Sequence, residues 1–146
     1  MPALCWAWVV FKDMIESRPL YPFGFGLSYA SFNYSEPKLS SDVMKQNSEL
    51  TVTVEVTNTG KVTAKEVVQM YIKDLFGSAS RPAMDLEGFE KIELKPGESK
   101  TVQFTINPEM LMFTSVEIKP ILEAGDYEVM VETSSKELKK VSFSLQ

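Results

Sequence analysis

From Leu50 the chain alternates. Leu50, Val52, Val54 and Val56 stand at every second position, with Thr51, Thr53, Glu55 and Thr57 between them. Successive side chains of a strand point to opposite faces, so this pattern predicts a half-buried strand. Asn58-Thr59-Gly60 then ends it as a turn. A second strand is expected over 66–73, with Val68, Met70 and Ile72 on one face and Val67, Gln69 and Tyr71 on the other. Residues 76–83 read as a loop of small residues, and 86–94 as a strand. Gly88 is read as a bulge that bends this strand and lets Phe89 enter the core. Lys95-Pro96-Gly97 is a turn. Val102, Phe104 and Ile106 point inward from the next strand.

Asn107-Pro108 has the form of a helix cap followed by proline in the first turn, which predicts one helical turn over 109–112. Residues 113–118 are weakly β. Ala124-Gly125-Asp126 turns into Tyr127, Val129 and Val131, and Val141, Phe143 and Leu145 close the chain. Upstream, Phe32, Tyr34 and Leu39 begin the β pattern, with Pro37 marking an edge strand. About seven short strands at regular spacing, with no long amphipathic helix, predict an all-β two-sheet sandwich of Greek-key type.

One segment breaks the pattern. Tyr21-Pro22-Phe23-Gly24-Phe25-Gly26-Leu27-Ser28-Tyr29 holds too much glycine, proline and aromatic residue for a helix or a regular strand. It reads as an irregular, aromatic-packed connector, whose rings are expected to pack against a neighbouring domain or fold back on the sandwich. It closely resembles the connector into the C-terminal fibronectin III-like domain of family 3 glycoside hydrolases, the β-glucosidases and their relatives. The resemblance continues in family order through Thr57-Asn58-Thr59-Gly60, Glu66-Val67-Val68-Gln69-Met70-Tyr71 and Ser80-Arg81-Pro82. It runs on through Leu86-Glu87-Gly88-Phe89-Glu90-Lys91, then 94–100, and then Ala124-Gly125-Asp126-Tyr127-Glu128-Val129 with Ser134-Ser135. It covers residues 19–146, with 19–29 as the linker and 30–146 as the sandwich.

Three places depart from the family. Residues 1–18 read as a non-family segment or a truncated start, Met84-Asp85 stands where the family has Lys-Glu, and Glu132-Thr133 replaces a Gly-Ser-like pair. The family's nucleophile lies in an N-terminal barrel domain and its acid/base further upstream, and this chain matches neither. The resemblance therefore implies a non-catalytic accessory domain of a β-glucosidase-type hydrolase active in carbohydrate metabolism. Its expected partners are the catalytic domains of such an enzyme, and it is expected to need no cofactor and no metal.

Composition narrows the chemistry further. The 146 residues contain no histidine and one cysteine, Cys5. This removes the commonest general base, a His-based nucleophile system and any internal disulfide. A net charge of −5, with basic and acidic residues interspersed, leaves no footprint for nucleic acid. The apolar run of residues 3–11 is too short to span a bilayer as a helix. With Trp6 and Trp8 at alternate positions, it is a candidate for strand pairing with a second copy.

Sugar cleavage with retention needs two carboxylates about 5 Å apart across a pocket. Asp85, Glu87, Glu90, Glu123, Asp126 and Glu128 all fall on outward positions or in turns, where solvation explains them. No catalytic residue is assigned. The candidate contact residues are Tyr21, Phe23, Phe25 and Tyr29, together with Arg81, whose planar fork suits a carboxylate or a backbone carbonyl. An alternative stays open, a stand-alone module whose aromatics bind a polysaccharide, an aromatic polymer or a protein partner.

Overall fold

The computed structural model of the chain describes residues 21–76, 84–115, 117–134 and 138–146. The calls on residues 1–18, on Arg81 and on its loop therefore lie outside the described residues. In chain order the elements are β1 (Phe32–Tyr34), β2 (Lys38–Leu39), β3 (Val43–Met44), β4 (Leu50–Asn58), β5 (Ala64–Asp74) and β6 (Asp85–Leu94). Then come β7 (Ser99–Ile106), α1 (Pro108–Leu111), β8 (Phe113–Thr114), β9 (Pro120–Ile121), β10 (Gly125–Glu132) and β11 (Lys139–Leu145).

Two sheets face each other. In one, β4 pairs along its length with β7, while β1 and β2 together line its other side. Pro37 lies between those two short pieces, at the break in an edge strand, where a missing N–H does least harm. The other sheet runs β3-β11-β10-β5-β6. The chain changes sheets between β4 and β5, returns between β6 and β7, and crosses again to reach β10, which is the all-β, immunoglobulin/fibronectin III-like sandwich that the resemblance implies. A small hairpin, β8 with β9, occupies the stretch read as weakly β.

The core sits between the sheets. Val52, Val54, Val56, Val102 and Ile106 from one sheet meet Val68, Met70, Val129, Val131 and Leu145 from the other. Full burial of each such side chain is worth about 1.5–3 kcal/mol. Tyr127 and Phe143 stack with centroids 5.5 Å apart. The Tyr127 hydroxyl donates to the Glu123 carbonyl at 2.9 Å, tying the start of β10 to the chain just before it.

Asn58 differs from the turn residue its sequence suggests. It holds the last inward position of β4 and is fully buried. Its Nδ2 donates to the Val62 carbonyl at 2.9 Å and to the Leu94 carbonyl at 3.0 Å. Its Oδ1 accepts from the Gly60 N–H at 2.9 Å. One amide thus joins the β4–β5 turn to the end of β6. Gly60 is needed for space and not for an unusual φ, because a Cβ there would lie 2.9 Å from the Ser31 nitrogen.

Two expectations are corrected. Phe89 does not enter the core and is 71% exposed. The register slips where Met70 faces Gly88 and Tyr71 faces Leu86, so Glu87 is the extra residue. Phe89 lies on the unbroken side of the bulge, where alternation with the buried Ile92 and Leu94 turns Gly88 toward the Phe104 ring and Phe89 outward; the residue whose face the bulge reverses is Leu86, 41% exposed. Asn107 occupies the cap position before α1, but its side chain makes no capping bond and its Oδ1 is buried without a partner.

Candidate interaction surface

Alternation along β5 puts Val68, Met70 and Ile72 in the core and Gln69 and Tyr71 on the opposite face of the sheet. Both of these outward residues are nonetheless buried, and so is Met130, the cross-strand neighbour of Tyr71. The outer face of the five-stranded sheet is therefore partly covered.

The aromatic segment contributes to that cover. Its chain reverses through Pro22-Phe23-Gly24-Phe25, closed by the Phe25 N–H donating to the Pro22 carbonyl at 3.0 Å. Gly24 has φ +81°, which fits the third position of a type II turn and favours glycine. Space imposes the same choice. A Cβ on Gly24 would lie 2.5 Å from Gln69 Nε2 and 2.6 Å from the Thr133 carbonyl oxygen. The segment thus sits with its backbone against the end of β5 and the chain leaving β10.

Gln69 is the floor of this seat. Its Nε2 donates to the Thr133 carbonyl at 3.0 Å, and its Oε1 accepts from the Tyr71 hydroxyl. Downstream, Ala30 is buried, and the Ser31 carbonyl accepts from the N–H groups of Thr59 and Gly60. The segment is held at both ends, and its rings remain half to fully exposed.

The candidate residues behave accordingly. Tyr21 is 68% exposed, Phe23 65%, Phe25 51% and Tyr29 fully exposed. Tyr21 and Phe25 form a tilted ring pair with centroids 5.3 Å apart. Phe23 and Phe25 also wall an open cleft of about 810 Å3, with Val67, Gln69, Glu66 and Thr133 opposite them. Tyr29 takes no part in that cleft.

Of the two ionisable residues that line the cleft, Lys65 is exposed and Glu66 is half-buried. Its Oε1 accepts from the Tyr34 hydroxyl at 3.0 Å, a bond that crosses from one sheet to the other. Burial holds the Glu66 carboxyl above the usual carboxylate range, and the Tyr34 donation partly offsets this. Burial, with the negative charge of Glu66 next in weight, pushes the Tyr34 phenol far up, so it remains a donor at any working pH. Lys139 donates to the Tyr34 carbonyl and pairs with Glu36 at 3.2 Å on the same end of the sandwich.

The acids weighed for sugar cleavage are dispersed. Glu90 pairs with Lys100 and Glu128 with Lys140, each at 3.1 Å. Asp85 and Glu87 line a cavity of about 10 Å3 with Asp74, room for about one water and far too small for a sugar ring. Among the described residues no cluster of His, Cys, Asp and Glu has the makings of a metal site, and no helix is long and apolar enough to cross a membrane.

Sequence reasoning found the rings and missed what lies under and beside them. Gln69, Val67 and Thr133 gave no signal beyond a polar residue inside an apolar strand. Phe89 was misassigned because its place was read from Gly88 alone, whereas alternation with the buried Ile92 and Leu94 puts it on the outer face.

Comparison with known proteins agrees with this anatomy. Residues 66–135 match the fibronectin type III-like domain family. The chain is 57% identical over 132 residues to a putative β-xylosidase of Formosa agariphila, covering 90% of this chain and 18% of that protein. It is 49% identical over 127 residues to a periplasmic β-glucosidase of Salmonella typhimurium, covering 87% and 17% respectively. A solved β-glucosidase from Erythrobacter marinus superposes with a TM-score of 0.86 at 38% identity, covering 90% of this chain and 18% of that one. The chain thus spans less than a fifth of the length of the curated relatives it matches.

Proposed function

Because the chain carries a fibronectin type III-like domain of the kind found in family 3 glycoside hydrolases, we propose that it is a non-catalytic accessory module of such an enzyme. In this reading residues 19–29 are the connector and 30–146 the sandwich body, which buttresses the catalytic domains. Contact is made through Tyr21, Phe23, Phe25 and Tyr29, and through the loop that carries Arg81.

One observation carries the reading. Rings that are half to fully exposed stand on a segment whose backbone is seated on Gln69 and Thr133. Solvent-facing aromatics held in a fixed frame mark a surface that another body covers. The chain's own hydrophobic demand is already met between its two sheets.

The test has two parts. The purified chain should not turn over aryl β-glucosides or β-xylosides; turnover abolished by one Asp or Glu substitution would end the proposal. The chain should also be grafted in place of the matching 132 residues of the Formosa agariphila putative β-xylosidase. Replacing Phe23 and Phe25 by serine should shorten the thermal half-life of this chimera while leaving unfolding of the isolated chain unchanged.

A second reading is favoured by the cleft. Aromatic walls beside an amide, hydroxyls and a carboxylate suit a sugar ring, and 810 Å3 is within the usual range for ligand sites. A stand-alone binding module would be retained on insoluble cellulose and released when Tyr21, Phe23 and Phe25 are changed to alanine. Retention indifferent to those changes counts against it.

A further inference from the structure

The outer face of the five-stranded sheet has a second exposed apolar area, on β6 and β5. Leu86 is 41% exposed, Phe89 71% and Val67 37%. Pairing places Leu86 opposite Tyr71, Phe89 opposite Gln69 and Lys91 opposite Val67, so all of them share one face. Val67 is the diagonal neighbour of Phe89, about 7–8 Å away and within reach of an aromatic ring, so these side chains form one patch on the sheet.

The strip is bounded by charge. Lys65 and Glu93 pair at 3.4 Å at one end, and Lys140 pairs with Glu128 at 3.1 Å on the far strands of the same face. An apolar centre with a charged rim is the anatomy of a protein–protein contact. Beyond the strip, β6 is the last strand of its sheet among the described residues. An aromatic in such a setting is the residue type that most often anchors an interface.

The aromatic segment identifies the occupant. Gly24 lies against Gln69, and Gln69 is the cross-strand neighbour of Phe89. The connector and the strip therefore adjoin on one face. In the relatives this chain aligns with under a fifth of the polypeptide, so a much larger body belongs to the same molecule. We infer that the Leu86–Phe89–Val67 strip is an extension of the connector's contact surface, with Phe89 as its anchor, and that its occupant is the glycosidase body. This rests on the accessory reading above and adds to it a specific face of the sheet. It also gives the bulge at Glu87 a purpose, since an unbroken ladder would turn Leu86, which has the parity of the buried Ile92 and Leu94, inward and out of the strip.

Site-specific photo-cross-linking in the chimera described above tests the inference. p-Benzoylphenylalanine is placed singly at Phe89, at Phe25 and at Glu55, an exposed position on the opposite sheet. Cross-linked peptides are identified by mass spectrometry, and xyloside turnover reports that each chimera is folded. Expected are cross-links from positions 89 and 25 to peptides outside the graft, and none from position 55. Cross-links from 25 alone would overturn the Phe89 strip and leave the accessory reading standing. Cross-links from neither would overturn both. Dimers cross-linked through position 89 would assign the strip to a second copy and overturn the inference as stated.

Discussion

Replacing Asn58 by alanine should destabilise the isolated chain by about 3 kcal/mol. The side chain is wholly buried and takes part in three hydrogen bonds, to Val62, Leu94 and Gly60. Each such bond contributes about 1 kcal/mol net, and a buried partner left unsatisfied adds to the loss. The Leu94 carbonyl is the most exposed to that penalty, because its bond to Asn58 is itself buried. Against a domain stability of about 5–15 kcal/mol the effect is large. Urea unfolding followed by circular dichroism would show a lower midpoint at an unchanged m-value. The thermal midpoint should fall by about 6–12 °C for a domain of this size. Asn58→Asp is the sharper variant. It keeps an acceptor for the Gly60 N–H but turns an oxygen toward two carbonyls. Its loss should match or exceed that of alanine near neutral pH and shrink in acid, where the protonated form can donate once. A loss below about 1 kcal/mol for Asn58→Ala would refute the reasoning, since the freed carbonyls would then have to be satisfied in some other way.

Two further predictions follow from the cleft. Glu66 has a raised carboxyl pKa, so its contribution is full below the unfolded value of about 4.3 and is lost as pH rises through the folded value. Glu66→Gln keeps an acceptor for Tyr34 and cannot ionise, so its stability relative to the parent chain should rise between about pH 4 and pH 7. A difference that is flat across that window, in urea midpoints at fixed salt, would remove Glu66 as its source. Gly24→Ala places a methyl within 2.6 Å of both Gln69 and Thr133 at a φ of +81°. It should lift the aromatic segment from the sheet, so that limited proteolysis within residues 21–29 speeds up while the urea midpoint of the sandwich barely moves. Unchanged cleavage would mean that the segment is not seated there.

The alternation at Leu50–Thr57 and Thr101–Ile106 sufficed to name strands and their buried faces, because a strand's period of two is local and each inward valine reports its own position. Turn chemistry was equally local at Lys95-Pro96-Gly97, where Gly97 takes φ +76°. The aromatic segment stood out by composition alone, while the exposure of its rings is a fact of the structure. What tertiary structure decided is everything that depends on a neighbour distant in sequence. Asn58 became a buried pin because the end of β6 presents a carbonyl to it, 36 residues away. Leu86 faces outward, against the parity of the buried Ile92 and Leu94, because one unpaired residue in β6 shifts the register, and a slip of one residue reverses every side chain beyond it. Gln69 lies buried on a face that periodicity marks as solvent, because a connector more than 40 residues earlier folds back over it. Local pattern determines which way a strand faces; only the assembled sheets determine what it faces.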